Sequence, residues 1–197
     1  METHIIGLLH QLLGIISGIL IGVAGIPYII AILKKIPGLS PRPLSWVGWA
    51  LLMSATLYSQ IESKGWEWSH SVLVVSIIGC SVIALLTIGN GNIDWLDIGC
   101  VLLAAGCFIL YKTTHDVWLT TGMAIVADLA IGFPTLRNAY HDPLSEKSIG
   151  WTIGSIGLFI AVLNCFGTQI IYFIFPIYLF IFNATIVFLT HRKKIPH

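Results

Sequence analysis

The chain has 197 residues, of which 56% are apolar and 10% charged, and its formal net charge is +1. An ordinary soluble domain carries about 25% charged residues, so folding alone cannot hide this much apolar surface from water, and a single compact membrane domain is predicted. The charge balance excludes a broad basic face for nucleic acid. The four cysteines, Cys80, Cys100, Cys107 and Cys165, fall in apolar segments without a CxxC or His/Cys spacing, which argues against a disulfide framework, a metal site or a cofactor.

Crossing a hydrocarbon core of roughly 30 Å takes about 20 apolar residues per helix. Polar and turn-forming breaks divide the chain into seven predicted spans, near 5–33, 44–61, 70–89, 95–111, 115–136, 149–166 and 168–190. The first lacks a basic leader and exceeds the apolar stretch of a signal peptide, so it reads as a mature helix. It reaches Gly25-Ile26-Pro27 and is followed by a basic connection, Lys34–Pro43. The second span opens with Ser45-Trp46-Val47-Gly48-Trp49. Further connections are expected at Glu62–Ser69, Asn90–Asp94 and Lys112–Thr114. The fifth span ends in Gly132-Phe133-Pro134, a connection Arg137–Ser148 follows, and the sixth opens with Ser148-Ile149-Gly150-Trp151. A tight turn near Gly167 makes the last two helices antiparallel neighbours.

The return of Gly-x-Pro, a proline-bearing connection and a Ser/Trp helix start marks an internal repeat. Residues 1–90 form a first three-helix repeat, 91–112 a linker helix and 113–197 a second, parallel repeat, all within one membrane domain. Lys34, Lys35, Arg42, Arg137, Lys147, Arg192, Lys193 and Lys194 fall on one side, and only Lys64 and Lys112 on the other. The excess of basic residues places that side in the cytoplasm, with the C-terminus inside and the N-terminus outside. Trp66, Trp68 and Trp118 lie near the outer boundary, as interfacial aromatics do.

This three-plus-one-plus-three layout, with a proline near the inner end of each first helix and a Ser/Trp-rich start to the next, resembles the PQ-loop and SWEET superfamily over about 27–60 and 134–163, roughly a third of the chain. The wording Ser45-Trp46…Ser59-Gln60 and Pro134-Thr135-Leu136-Arg137 also resembles a family of uncharacterised bacterial seven-helix membrane proteins. The chain departs from the superfamily's Pro-Gln pair, carrying Pro27-Tyr28 and Pro134-Thr135 instead. The resemblance implies an all-α fold in a bacterial inner membrane. It also implies a pocket lined by polar residues of spans three and seven with aromatic groups, so that Asn183, Ser76 and Cys80 face a cavity.

Asp128 is the one charged residue well inside a span, where an ionised carboxylate costs about 2.5–3.5 kcal/mol. It is the first candidate for solute, cation or proton binding; packing against Asn164, Ser155 or Thr121 is the structural alternative. Asn164 and Asn183 join it as polar candidates. Trp46, Trp49 and Trp151 offer planes for stacking or serve as interfacial anchors. Pro27 and Pro134, with Gly25 and Gly132, are candidate hinges for rocking about a central site, although membrane helices also tolerate proline without a functional purpose. His10, Gln11, Gln60 and Glu62 lie toward the outer side, as a vestibule or as solvated interface groups. His141-Asp142 and Glu146 read as an ordinary solvated connection.

A retinal protein is excluded because span seven lacks a lysine, and no hydrolase constellation is spaced for catalysis. The expected function is therefore non-enzymatic: a carrier of a small polar solute such as a sugar or metabolite, by uniport or proton coupling and alternating access. The alternative is a non-transporting receptor or assembly protein on the same scaffold. The expected partners are the solute and membrane lipids, with the protein a monomer or homo-oligomer.

Overall fold

The computed structural model describes residues 2–64, 70–89, 93–113, 117–166 and 170–192, and among them the chain forms seven α-helices and no strand. In chain order they are α1 (Glu2–Leu33), α2 (Pro43–Lys64), α3 (His70–Thr87), α4 (Trp95–Thr113), α5 (Val117–His141), α6 (Ile149–Asn164) and α7 (Ile170–His191). Each follows one of the apolar runs. Trp66, Trp68, Gly167, Lys193 and Lys194 lie outside the described residues.

Local chemistry sets the helix ends. Lys35, at φ 49°, occupies the left-handed position after α1. There the Lys35 N–H donates to the Ile32 carbonyl and the Ile36 N–H to Ala31, the paired bonds of a Schellman cap. Pro43 starts α2, where a missing N–H costs nothing. Asp94 caps α4 reciprocally with Asp97: each backbone N–H donates to the other's carboxylate, at 3.1 and 2.8 Å. Ser148 caps α6 by accepting from the Gly150 N–H.

Pro27 and Pro134 lie inside their helices. Proline removes a donor from the i→i−4 ladder, yet α1 continues to Leu33 and α5 to His141. This corrects the expected connection at Arg137–Ser148: Arg137 is helical and the connection is Asp142–Ser148. α7 has an interior proline of its own, Pro176.

Among the described residues, α1 packs on α3 and α6, α2 on α3, α4 and α5, α5 on α4 and α7, and α6 on α7. The consecutive backbones α1 and α2 do not approach each other, nor do α5 and α6. Exchanging α1–α3 with α5–α7 leaves the set unchanged: α1·α3 becomes α5·α7, α2·α3 becomes α6·α7, and α1·α6 becomes α5·α2. Helix α4 stands outside the exchange, against α2 and α5.

The α1–α6 seam is close because α6 presents glycines. A Cβ at Gly150 would lie 2.3 Å from the Ala24 carbonyl oxygen, and one at Gly157 3.0 Å from Ile21. Ser17 Oγ donates to the Gly157 carbonyl at 2.9 Å, and His10 pairs with Asn164 at 2.9 Å. These contacts run in opposite order along the two chains, so the helices are antiparallel. In the α2–α5 seam, a Cβ at Gly48 would lie 2.7 Å from Ile131.

Among the described residues, two helices are long and apolar enough to cross a membrane, over Gly7–Leu33 and Phe173–His191. Only 22% of each stretch is buried within the protein, whereas the core helix of a soluble protein is mostly enclosed. Large apolar side chains also face outward elsewhere: Leu51, Leu85 and Leu102 are 67–73% exposed. Soluble monomers rarely expose large contiguous apolar patches.

Charged groups gather at one end of the bundle. Arg42 reaches Asp97 at 3.1 Å and Asp94 at 3.5 Å, and Arg137 reaches Asp94 at 3.2 Å. The Asp97 backbone N–H, followed by the charges of Arg42 and Arg137, holds the Asp94 carboxyl below its usual range. The two connections here are joined, since the Ser40 N–H donates to the Ser145 carbonyl and Asn138 Nδ2 donates to the Ser40 carbonyl, both at 2.9 Å. We call this the basic end.

Candidate functional site

A cavity of about 210 Å³ lies between the two sets of three helices. Helices α1, α2, α3, α6 and α7 each contribute several lining residues, and α4 contributes none. From α5 the cavity receives one residue, Asp128. Asp128 stands 11 residues from the start of α5 and 13 from its end, which at 1.5 Å per residue is roughly 17–20 Å from either terminus.

Asp128 is 2% exposed, and its Oδ2 accepts a hydrogen bond from the Tyr178 hydroxyl at 2.9 Å. The partners expected from sequence engage elsewhere in two cases: Ser155 Oγ donates to the Trp151 carbonyl, and Asn164 pairs with His10. Asn164 must therefore be removed from the cavity group. It is the last residue of α6, six positions beyond the cavity-lining Leu158, hence roughly 9 Å along the helix. His10 forms part of that remote pair.

Asn183 and Ser76 both line the cavity, as does buried Cys80. Asn183 Nδ2 donates to the Leu179 carbonyl of its own helix at 3.1 Å.

Trp46, Trp49 and Trp151 also line it, each at most 8% exposed. They are internal, not interfacial anchors. Their ring centroids lie 5.1 Å apart for Trp46–Trp49, 5.8 Å for Trp46–Trp151 and 6.3 Å for Trp49–Trp151. Phe182 extends the cluster at 5.9 Å from Trp49, and Tyr178 stands 6.3 Å beyond it. A continuous aromatic wall thus joins the tryptophans to the group that holds Asp128. The indole N–H of Trp151 is buried without a hydrogen-bond partner among the described residues.

The two candidate hinge glycines differ. A Cβ at Gly132 would lie 2.4 Å from Phe182 and 3.1 Å from Trp49, so glycine there admits the aromatic wall. Gly25 has nothing within 4 Å of such a Cβ and lines the cavity, so it faces open space and not a close neighbour. Pro27 and Pro134 sit two residues beyond these glycines, toward the basic end.

Tyr28, next to Pro27, lines the cavity and packs 5.1 Å from Trp46 and 6.0 Å from Trp151. Its hydroxyl donates to Glu146 Oε2. Glu146 is fully buried, and its Oε1 has no partner, so the expectation of a solvated Glu146 is overturned. A carboxylate this deeply buried is costly as an anion; burial pushes its pKa up to about 8, against the opposing hydrogen bonds from Tyr28 and Asn138 and the charge of Arg42. Thr135, which follows Pro134 as Tyr28 follows Pro27, is also buried, and its hydroxyl has no partner.

The arrangement suits binding. Polar groups converge on an apolar, aromatic cavity of small-molecule size, and among the described residues no group of three His, Cys, Asp or Glu is placed to hold a metal ion. No protein-family model matches the chain, and no curated protein sequence matches it.

Proposed function

We propose that the protein is a seven-span carrier that moves a small polar solute by alternating access around this cavity. It operates in a bacterial inner membrane with the basic end in the cytoplasm. In this reading residues 1–90 and 113–197 are parallel repeats joined by α4, and Pro27 and Pro134 are the hinges about which they rock.

One observation carries the reading: a cavity lined by six helices, to which α5 supplies a buried carboxylate near mid-helix and nothing else. The helix pairing that survives exchange of the two halves supports it, because rocking needs two comparable bundles. So does the basic end, where Tyr28 of the cavity wall bonds Glu146 on one connection and Ser40 joins that connection to the other.

The test is solute uptake into sealed proteoliposomes with an imposed pH gradient. A carrier gives saturable uptake that Asp128→Asn reduces at least about tenfold, roughly 1.4 kcal/mol, while the variant elutes as folded protein. The bond from Tyr178 to Asp128 equally serves a non-transporting receptor or assembly protein. That second reading predicts no saturable uptake and an unfolded or destabilised variant.

A further inference from the structure

We infer that the solute is a small organic cation bearing a hydrogen-bond acceptor, held between Asp128 and the Trp46–Trp49–Trp151 cluster. The inference rests on the proposed carrier's cavity being the solute site, and it narrows the class of solute.

Charge is the first argument. Among the described residues the cavity is lined by one carboxylate, Asp128, and by no Lys, Arg or His. A carboxylate enclosed in an apolar setting is costly unless it is paired, and the cavity contains no cation of its own. A solute that brings the positive charge completes the pair, whereas an anionic solute would oppose it.

The aromatic wall is the second. Tyr178, Phe182, Trp49, Trp46 and Trp151 follow one another at centroid separations of 5.1–6.3 Å, beginning at the carboxylate's hydrogen-bond donor. Ring faces attract ammonium groups, tryptophan most strongly, and desolvation increases the effect. Methylated ammonium ions are held in such cages.

The third is an unused donor. The buried indole N–H of Trp151 has no hydrogen-bond partner among the described residues, and an indole nitrogen can only donate. Leaving it unpaired is costly, so the solute's hydroxyl or carbonyl oxygen is the natural partner. Size agrees: an apolar cavity of about 150 Å³ holds benzene, six heavy atoms, so about 210 Å³ accommodates a solute a few atoms larger.

Two probes of the same shape test this: choline and 3,3-dimethylbutan-1-ol, in which carbon replaces the charged nitrogen. Binding to the full-length protein in detergent is read from tryptophan fluorescence. The inference predicts that choline binds at least about tenfold more tightly than the alcohol, a difference of ~1.4 kcal/mol. Asp128→Asn should cut that preference below about threefold. Equal binding, tighter binding of the alcohol, no binding of choline, or a preference that persists in folded Asp128→Asn overturns it. The wild-type comparison needs no variant to fold. Saturable uptake of neutral solutes without a choline preference sinks this inference alone; a choline preference without uptake of any solute retains the binding class and sinks the carrier reading.

Discussion

Glu146 lies between Ser145 and Lys147 on a short connection, and its burial depends on Tyr28, 118 positions away. Its folded pKa of about 8 stands above the ordinary carboxyl value of 4.5, so the native state holds a proton that the unfolded chain releases. The stabilisation is complete below about pH 4.5 and is lost as pH rises through about 8. Glu146→Gln carries no ionisable group. Wild type should therefore lose thermal stability relative to this variant between pH 5 and 8; each tenfold change in proton affinity is worth about 1.4 kcal/mol, and 1 kcal/mol shifts the melting temperature by about 2–4 °C at this size. Parallel melting curves across that range would contradict the assignment. Tyr178→Phe removes the hydroxyl that bonds Asp128 and should cost about 1 kcal/mol. Asp128 was legible in the sequence because a charge interrupts an apolar run. Glu146 was not, because among His141, Asp142 and Lys147 it has the surroundings of a solvated residue, and only a contact distant in sequence encloses it.

Helices were the most legible level, since a run of apolar residues bounded by Gly, Pro and charge leaves few other structures for the backbone. Their contacts were less so. α5, expected to end near 136, runs on past Pro134 to His141, because a missing N–H affects one rung of the ladder and the neighbouring helices supply the rest of the support. The α1–α6 seam was also hidden: Gly150, Gly154 and Gly157 matter through what faces them. Gly150→Ala would push a methyl to 2.3 Å from the Ala24 carbonyl and should cost about 1–3 kcal/mol or more, seen as a lower melting temperature in detergent. Gly25→Ala meets nothing within 4 Å, so it should fold normally and reduce uptake by narrowing the cavity. At the start of α4, Asp97 is 1% exposed and paired with Arg42. Arg42→Met leaves that acid without its ion-pair partner and should cost about 3–5 kcal/mol, whereas Arg137→Met, at the exposed Asp94 pair, should cost about 1 kcal/mol or less; equal losses would contradict the distinction.

At the scale of the whole molecule, the account depends on two three-helix sets enclosing a polar-centred cavity that opens in turn to each side. The Gly-x-Pro and Ser/Trp words recur in both sets, and α1 packs on α6 as α5 packs on α2. Ser76 is the most direct reporter, because it lines the cavity from α3 without belonging to the aromatic wall. In a chain whose four native cysteines are replaced by alanine, Ser76→Cys is exposed, in sealed vesicles of known orientation, to a membrane-impermeant thiol reagent added to one side at a time. Alternating access predicts labelling from both sides, slowed from both by a bound solute. Labelling from one side only, or from neither, in folded protein would contradict it.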